Sequence, residues 1–149
     1  MNELQKFGFK GEDIAATYLT SKGYSIRHRN WRTHHIELDI IAENDDYIVV
    51  VEVKTRRNDK FCHPSDAVNY TKIKRIVNAT QAYIFKHNIN KDVRFDIISI
   101  IPLPNGDFAV EHQEDAFYPP IGRWDYFTLL LSSDIYPYHW HRIQEGVIL

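Results

Sequence analysis

Tyr47-Ile48-Val49-Val50-Val51-Glu52-Val53-Lys54-Thr55-Arg56 is the stretch on which the fold turns. Ile48 to Val51 and Val53 are β-branched, which favours a strand, and the period of two places Glu52 and Lys54 on one face beside Ile48 and Val50. Opposite charges at one end of so apolar a strand have a plain explanation, an edge-strand salt bridge contributing about 0–1 kcal/mol.

The preceding segment argues for more. Ile36-Glu37-Leu38-Asp39-Ile40-Ile41-Ala42 is a second apolar run with carboxylates at alternate positions, and Glu43-Asn44-Asp45-Asp46 between the two is a polar turn signal. An even-numbered loop, Asp45-Asp46 or Asn44 to Tyr47, sets Asp39 directly opposite Glu52 and Glu37 opposite Lys54. Directly opposed Cβ atoms lie about 4.5–5.5 Å apart, so two carboxylates at that spacing repel unless a positive group sits between them. A divalent cation is the natural candidate. Mg²⁺, or Mn²⁺ in its place, takes oxygen ligands from one or two carboxylates and leaves other positions to water and phosphate. Lys54 beside such an ion could orient or deprotonate a water, or neutralise charge on a phosphate. The set suits hydrolysis of a phosphodiester, with Glu37 a secondary candidate that could instead pair with Lys54.

With Asp39 on one strand and Glu52-Val53-Lys54 on the next, the chain resembles the PD-(D/E)xK nuclease superfamily, and within it the uncharacterised bacterial YraN-like family. The likeness also takes in Gly11-Glu12, Gly23-Tyr24, Arg29-Asn30-Trp31-Arg32, Val51 to Arg56, Lys72, Arg75-Ile76 and Arg94-Phe95-Asp96, in order, from about residue 7 to 118. It implies a restriction-endonuclease-like α/β core and a Mg²⁺-dependent endonuclease, with branched DNA among the candidate substrates. It also implies a role for Glu12, which matches the additional metal-site carboxylate of the similar archaeal Holliday junction resolvases. Two positions depart from the pattern: Ile36 stands where the family usually has Gly, and Leu38 replaces the Pro of the superfamily name.

At 149 residues the chain is sized for one domain with one core. The reading is an endonuclease-like domain over 1–118 and an aromatic-rich extension over 119–149, which would pack on the domain, on a second copy in a homodimer, or on a partner. Met1 to Lys6 lacks the apolar core of a signal peptide, no run reaches membrane-spanning length, and the lone Cys62 fits a reducing compartment, so a cytoplasmic protein is expected.

A net charge of −2 hides an uneven distribution. Residues 22–75 hold 11 of the 18 Lys and Arg against 8 acids, whereas residues 76–149 hold 5 against 9. Arg29, Arg32, Arg56, Lys72 and Arg75 are the candidate contacts to a nucleic acid, DNA first. A mixed-charge surface would give similar counts; the coincidence with the carboxylate hairpin favours the nucleic-acid reading. His34-His35, His63 and His139-Trp140-His141 lack zinc-site spacing, and Asp96 in an apolar strand reads as a structural carboxylate paired with Arg94 or a helix.

Periodicity gives the remaining order. A helix is expected over Gly11 to Ser21, closed by Gly23, then a strand over Tyr24 to Trp31 and the hairpin. Pro64-Ser65-Asp66 is expected to open a long helix to about Lys86, followed by strands at Val93 to Ile101 and Asp107 to Glu111. These elements assemble most simply as a central mixed sheet flanked by helices. The competing reading from another class is a nucleic-acid-binding or adaptor module that keeps the fold and cuts nothing; a third is a structural domain with edge-strand ion pairs.

Overall fold

The computed structural model describes residues 3–56 and 69–118. The expected 119–149 extension and the Pro64 to Val68 segment lie outside them. The elements are helix α1 (Glu3–Ser21), strands β1 (Ser25–Thr33), β2 (Ile36–Glu43) and β3 (Tyr47–Thr55), helix α2 (Tyr70–His87), and strands β4 (Asp92–Pro102) and β5 (Phe108–Gln113). The protein is α/β, with a five-stranded mixed sheet in the order β1-β2-β3-β4-β5. Only β3 and β4 run parallel, joined by the crossover that contains α2; the other neighbours are antiparallel. No helix among the described residues is long and apolar enough to cross a membrane.

The β2–β3 hairpin has the register that an even loop requires. Glu43 pairs with Ile48 and Ile40 with Val51, and the Asn44 side chain accepts the backbone N–H groups of Asp46 and Tyr47 to fold the turn. Each face of the sheet then carries one helix. Ala15 and Leu19 of α1 pack on Ile40, Ala42, Val49, Val51, Ile98 and Ile100. Ile76, Ala79 and Tyr83 of α2 pack on Ile41, Ile48, Val50, Phe95 and Ile97. Each such fully buried aliphatic side chain contributes about 1.5–3 kcal/mol relative to exposure.

Two helix boundaries differ from expectation. α1 extends back to Glu3. α2 starts at Tyr70 rather than Pro64, because Asn69 is extended and its side chain accepts the Lys72 N–H as an N-cap. The other end of α1 is as read: Gly23 adopts a left-handed φ of 91°, and the Tyr24 N–H reaches back to the Leu19 carbonyl.

One irregularity in β2 decides where its carboxylates point. Leu38 belongs to the core under α2 and Ile40 to the core under α1, although both are even-numbered residues of β2. The alternation of faces therefore breaks at Asp39. Across the ladder, where β1 pairs Arg29 with Ile40 and Trp31 with Leu38, Asn30 sits at a left-handed φ of 50°.

Candidate functional site

The β2–β3 ladder ends at Ile40 and Val51. Asp39, the next residue, turns its carboxylate to accept the backbone N–H of Val53 at 2.8 Å. This bond ties the two strands together where they stop exchanging backbone hydrogen bonds. Burial, reinforced by the Glu52 charge, raises the Asp39 carboxyl to about 7.

Glu12, delivered from α1, and Glu37, from β2, complete an acidic group with Asp39: one carboxylate oxygen of each lies within 4.8 Å of the other two. Glu12 Oε2 is buried and accepts no hydrogen bond among the described residues. The nearest cation, Arg29 Nη2, stands 4.0 Å away, beyond hydrogen-bonding distance. Burial raises the Glu12 carboxyl, with Asn30 and Arg29 pulling it down and Glu37 pushing it up. Two oxygens across one hard cation lie about 4–5 Å apart, twice a bond of 2.0–2.6 Å. Three converging carboxylates, one with an orphaned oxygen, thus make a donor set that fits a divalent cation.

Glu52 stands beside this group, under α2. Its side chain is 6% exposed, and Lys54 Nζ pairs with its Oε1 at 2.9 Å. Lys72 Nζ, reaching over from α2, pairs with the same oxygen. That contact and the nearby Asp39 charge outweigh burial and keep Lys72 an ammonium. Glu37 pairs with Arg32 and not with Lys54, since the β1 register places Arg32 directly across from it.

Among the other expected contacts, Arg29 donates to Asp13 at 2.6 Å. Arg56 follows β3 and donates its backbone N–H to Ile100. Arg75 is exposed on α2 and, with Lys72, Asn69, Thr71, His35, Ile36, Glu37 and Ile76, lines a cleft of about 510 Å³. The cleft lies between the first turns of α2 and the β1–β2 turn. Lys72 and Arg75 thus line one cleft, while Arg29 and Arg32 lie along β1 against acidic partners.

Asn30 gains a role that its sequence context does not assign. Its buried Oδ1 has no hydrogen-bond partner among the described residues, and its amide acts on Glu12. The one signal in the sequence is an Asn in mid-strand, the residue type most at ease in the left-handed region after Gly.

The chain is similar to proteins of several bacteria. It is 51% identical over 121 residues to a UPF0102 protein of Phocaeicola vulgatus, covering 81% of this chain and 99% of that one. A UPF0102 protein of Bacteroides thetaiotaomicron is 50% identical over the same coverage, and one of Thermodesulfovibrio yellowstonii is 42% identical, covering 76% of this chain and 96% of its own. The model of the uncharacterised protein family UPF0102 matches residues 11–100, which take in Glu12, Glu37, Asp39, Glu52, Lys54 and Lys72, and the chain belongs to that family.

Proposed function

We propose that the protein is a divalent-metal-dependent nuclease that hydrolyses phosphodiester bonds of nucleic acid, DNA first, on a restriction-endonuclease-like core. The observation that carries this reading is the convergence of the Glu12, Glu37 and Asp39 carboxylates, with a buried Glu12 oxygen that accepts no hydrogen bond among the described residues, next to a buried carboxylate already served by two lysines. A bound Mg²⁺ or Mn²⁺ would supply Lewis-acid activation of the phosphate and a water of lowered pKa.

Glu12, Glu37 and Asp39 would hold the ion, and Asp39 would keep its hydrogen bond to the Val53 N–H, which fixes its orientation. Glu52 sits one strand away as the acceptor that orients Lys54. From there the Lys54 ammonium can position the attacking water or stabilise charge developing on the phosphoryl oxygens. Arg75, exposed at the cleft, would contact the backbone phosphates.

Incubation with Mg²⁺ or Mn²⁺ and a panel of single-stranded, duplex, flap and four-way-junction DNA and of RNA tests the reading. Cleavage is expected in the wild type, falling at least about 100-fold in Asp39→Asn, Glu12→Gln and Lys54→Met. Binding without cleavage would replace the nuclease with an adaptor on the same scaffold. Cleavage undiminished in Asp39→Asn would trace the activity to a contaminant.

A further inference from the structure

Two ammonium groups crowd one oxygen of Glu52. Lys54 and Lys72 both pair with Oε1, so two positive charges share an acceptor at closer range than either would choose in water. They are not equivalent. Lys54 comes from the same strand as Glu52 and its side chain is 23% exposed, whereas Lys72 comes from another element, is 41% exposed and lines the α2 cleft. Asp39, the member of the acidic group that feels the Glu52 charge, also feels Lys72.

We infer that Lys72 is an exchangeable internal counter-ion: it neutralises Glu52 while the acidic group is empty, and it leaves for the cleft beside Arg75 when a divalent cation loads. This rests on the reading of Glu12, Glu37 and Asp39 as a cation site. The driving force is charge balance. A cation held by Asp39 adds two positive charges next to a carboxylate that already carries two, and the ammonium with an open path to solvent is the one to depart. Once in the cleft, Lys72 and Arg75 lie three residues apart on one helix face, spaced to meet adjacent oxygens of a backbone phosphate. Loading of the metal and opening of the phosphate subsite would then be one event.

Lysine acylation followed by mass spectrometry, on the full chain without nucleic acid and with Ca²⁺ as the probe, reads the exchange directly. Lys72 should react slowly in cation-free protein and several-fold faster with Ca²⁺, while exposed Lys74 reacts equally in both. In Glu52→Gln, Lys72 should be fast without Ca²⁺ and insensitive to it. By calorimetry, Lys72→Met should bind Ca²⁺ about tenfold more tightly than wild type, and Lys74→Met should not. Ca²⁺ uptake by the wild type with no change in Lys72 reactivity overturns the exchange and leaves the cation site standing. No Ca²⁺ uptake overturns both.

Discussion

Gly11 of α1 lies against Thr55 at the end of β3, so close that a Cβ on residue 11 would fall 2.3 Å from the Thr55 hydroxyl oxygen. Glu12 is the next residue, so this contact sets how near its carboxylate comes to Asp39. Gly11→Ala should push the start of α1 off the sheet. The expected cost is about 1–3 kcal/mol of stability, with a larger proportional loss in divalent-cation binding. Gly11→Ala with Thr55→Ala removes the offending hydroxyl and leaves the Thr55 Cβ at 3.4 Å, an ordinary contact. The pair should recover most of both losses, which chemical denaturation and Mn²⁺ titration will measure. Cation affinity unchanged in the single variant would show that Glu12 is placed by something else.

Asp39 makes the site a stability liability with a defined sign. Its carboxyl is raised to about 7 by burial and then by Glu52, so the folded protein favours its protonated form. The penalty is absent below the ordinary value of 3.8 and fully present above about 7. Asp39→Asn should therefore stabilise the protein at pH 8 by on the order of a few kcal/mol, and the gain should shrink as pH falls towards 4. Mg²⁺ should raise the melting temperature of the wild type at pH 8 but not that of Asp39→Asn. Parallel melts at the two pH values decide the matter: a gain that is independent of pH would mean that Asn stabilises by packing alone.

Residue alternation encodes much of the hairpin. The pairing of Ile40 with Val51 follows from two apolar runs and an even turn, because a slip by one residue would turn every buried Ile and Val outward. The partner of Glu37 does not follow, since the register arithmetic assumes a ladder continuing past Ile40, whereas Arg32 of β1 takes Glu37 instead. The break at Asp39 lies across from Asn30 in a left-handed conformation, and no periodicity encodes either. The start of α2 is a contest between two good caps, Ser65-Asp66 and Asn69, that sequence alone does not rank. Glycine misleads at α1, where Gly8 and Gly11 lower helix propensity but fall inside the helix. Lys72 reads as a phosphate ligand from its position, and only the fold brings it onto Glu52.

Tyr83 is fully buried, and its hydroxyl accepts from Arg27 Nε at 3.0 Å and meets His28 Nδ1 at 2.7 Å. Tyr83→Phe keeps the ring against Trp31 and removes one hydrogen bond from each partner, while Arg27 retains Glu43 and exposed His28 turns to water, for an expected loss of about 0.5–1.5 kcal/mol. Burial, then the charges of His87, Arg27 and Lys86, hold His28 below its usual 6.5. The neutral ring is thus favoured on folding, and this contribution is present above pH 6.5 and declines as pH falls. The Tyr83 hydroxyl can donate only to a neutral His28 Nδ1, so the wild-type advantage over Tyr83→Phe should narrow on acidification through pH 6.5, as Trp fluorescence during urea unfolding will show. A constant gap would leave His28 out of the account.

Asp96 of β4 ties that strand to β5 and the segment after it. Its carboxylate is completely buried, receives Arg94 at 2.9 and 2.8 Å, contacts His112 Nε2 at 2.7 Å and accepts the Asp115 N–H at 3.1 Å. Burial alone would raise its pKa, but His112 and Arg94 together outweigh it and the carboxyl is lowered from 3.8. A lowered carboxyl contributes stability that is present above 3.8 and is lost as pH falls through the folded value, so acid unfolding of the wild type should draw on this group. Asp96→Asn leaves the Arg94 guanidinium, 8% exposed, without its buried anion and should cost about 3–5 kcal/mol at pH 7. Replacing both, Arg94→Met with Asp96→Leu, should recover a large part of that loss, because no uncompensated charge remains. Urea midpoints of the wild type, Arg94→Met, Asp96→Leu and the double variant at pH 7 and pH 3.5 form a complete cycle. A double variant as unstable as Asp96→Asn would show that the Asp96 bonds to His112 and Asp115, rather than the ion pair, hold β4 to β5.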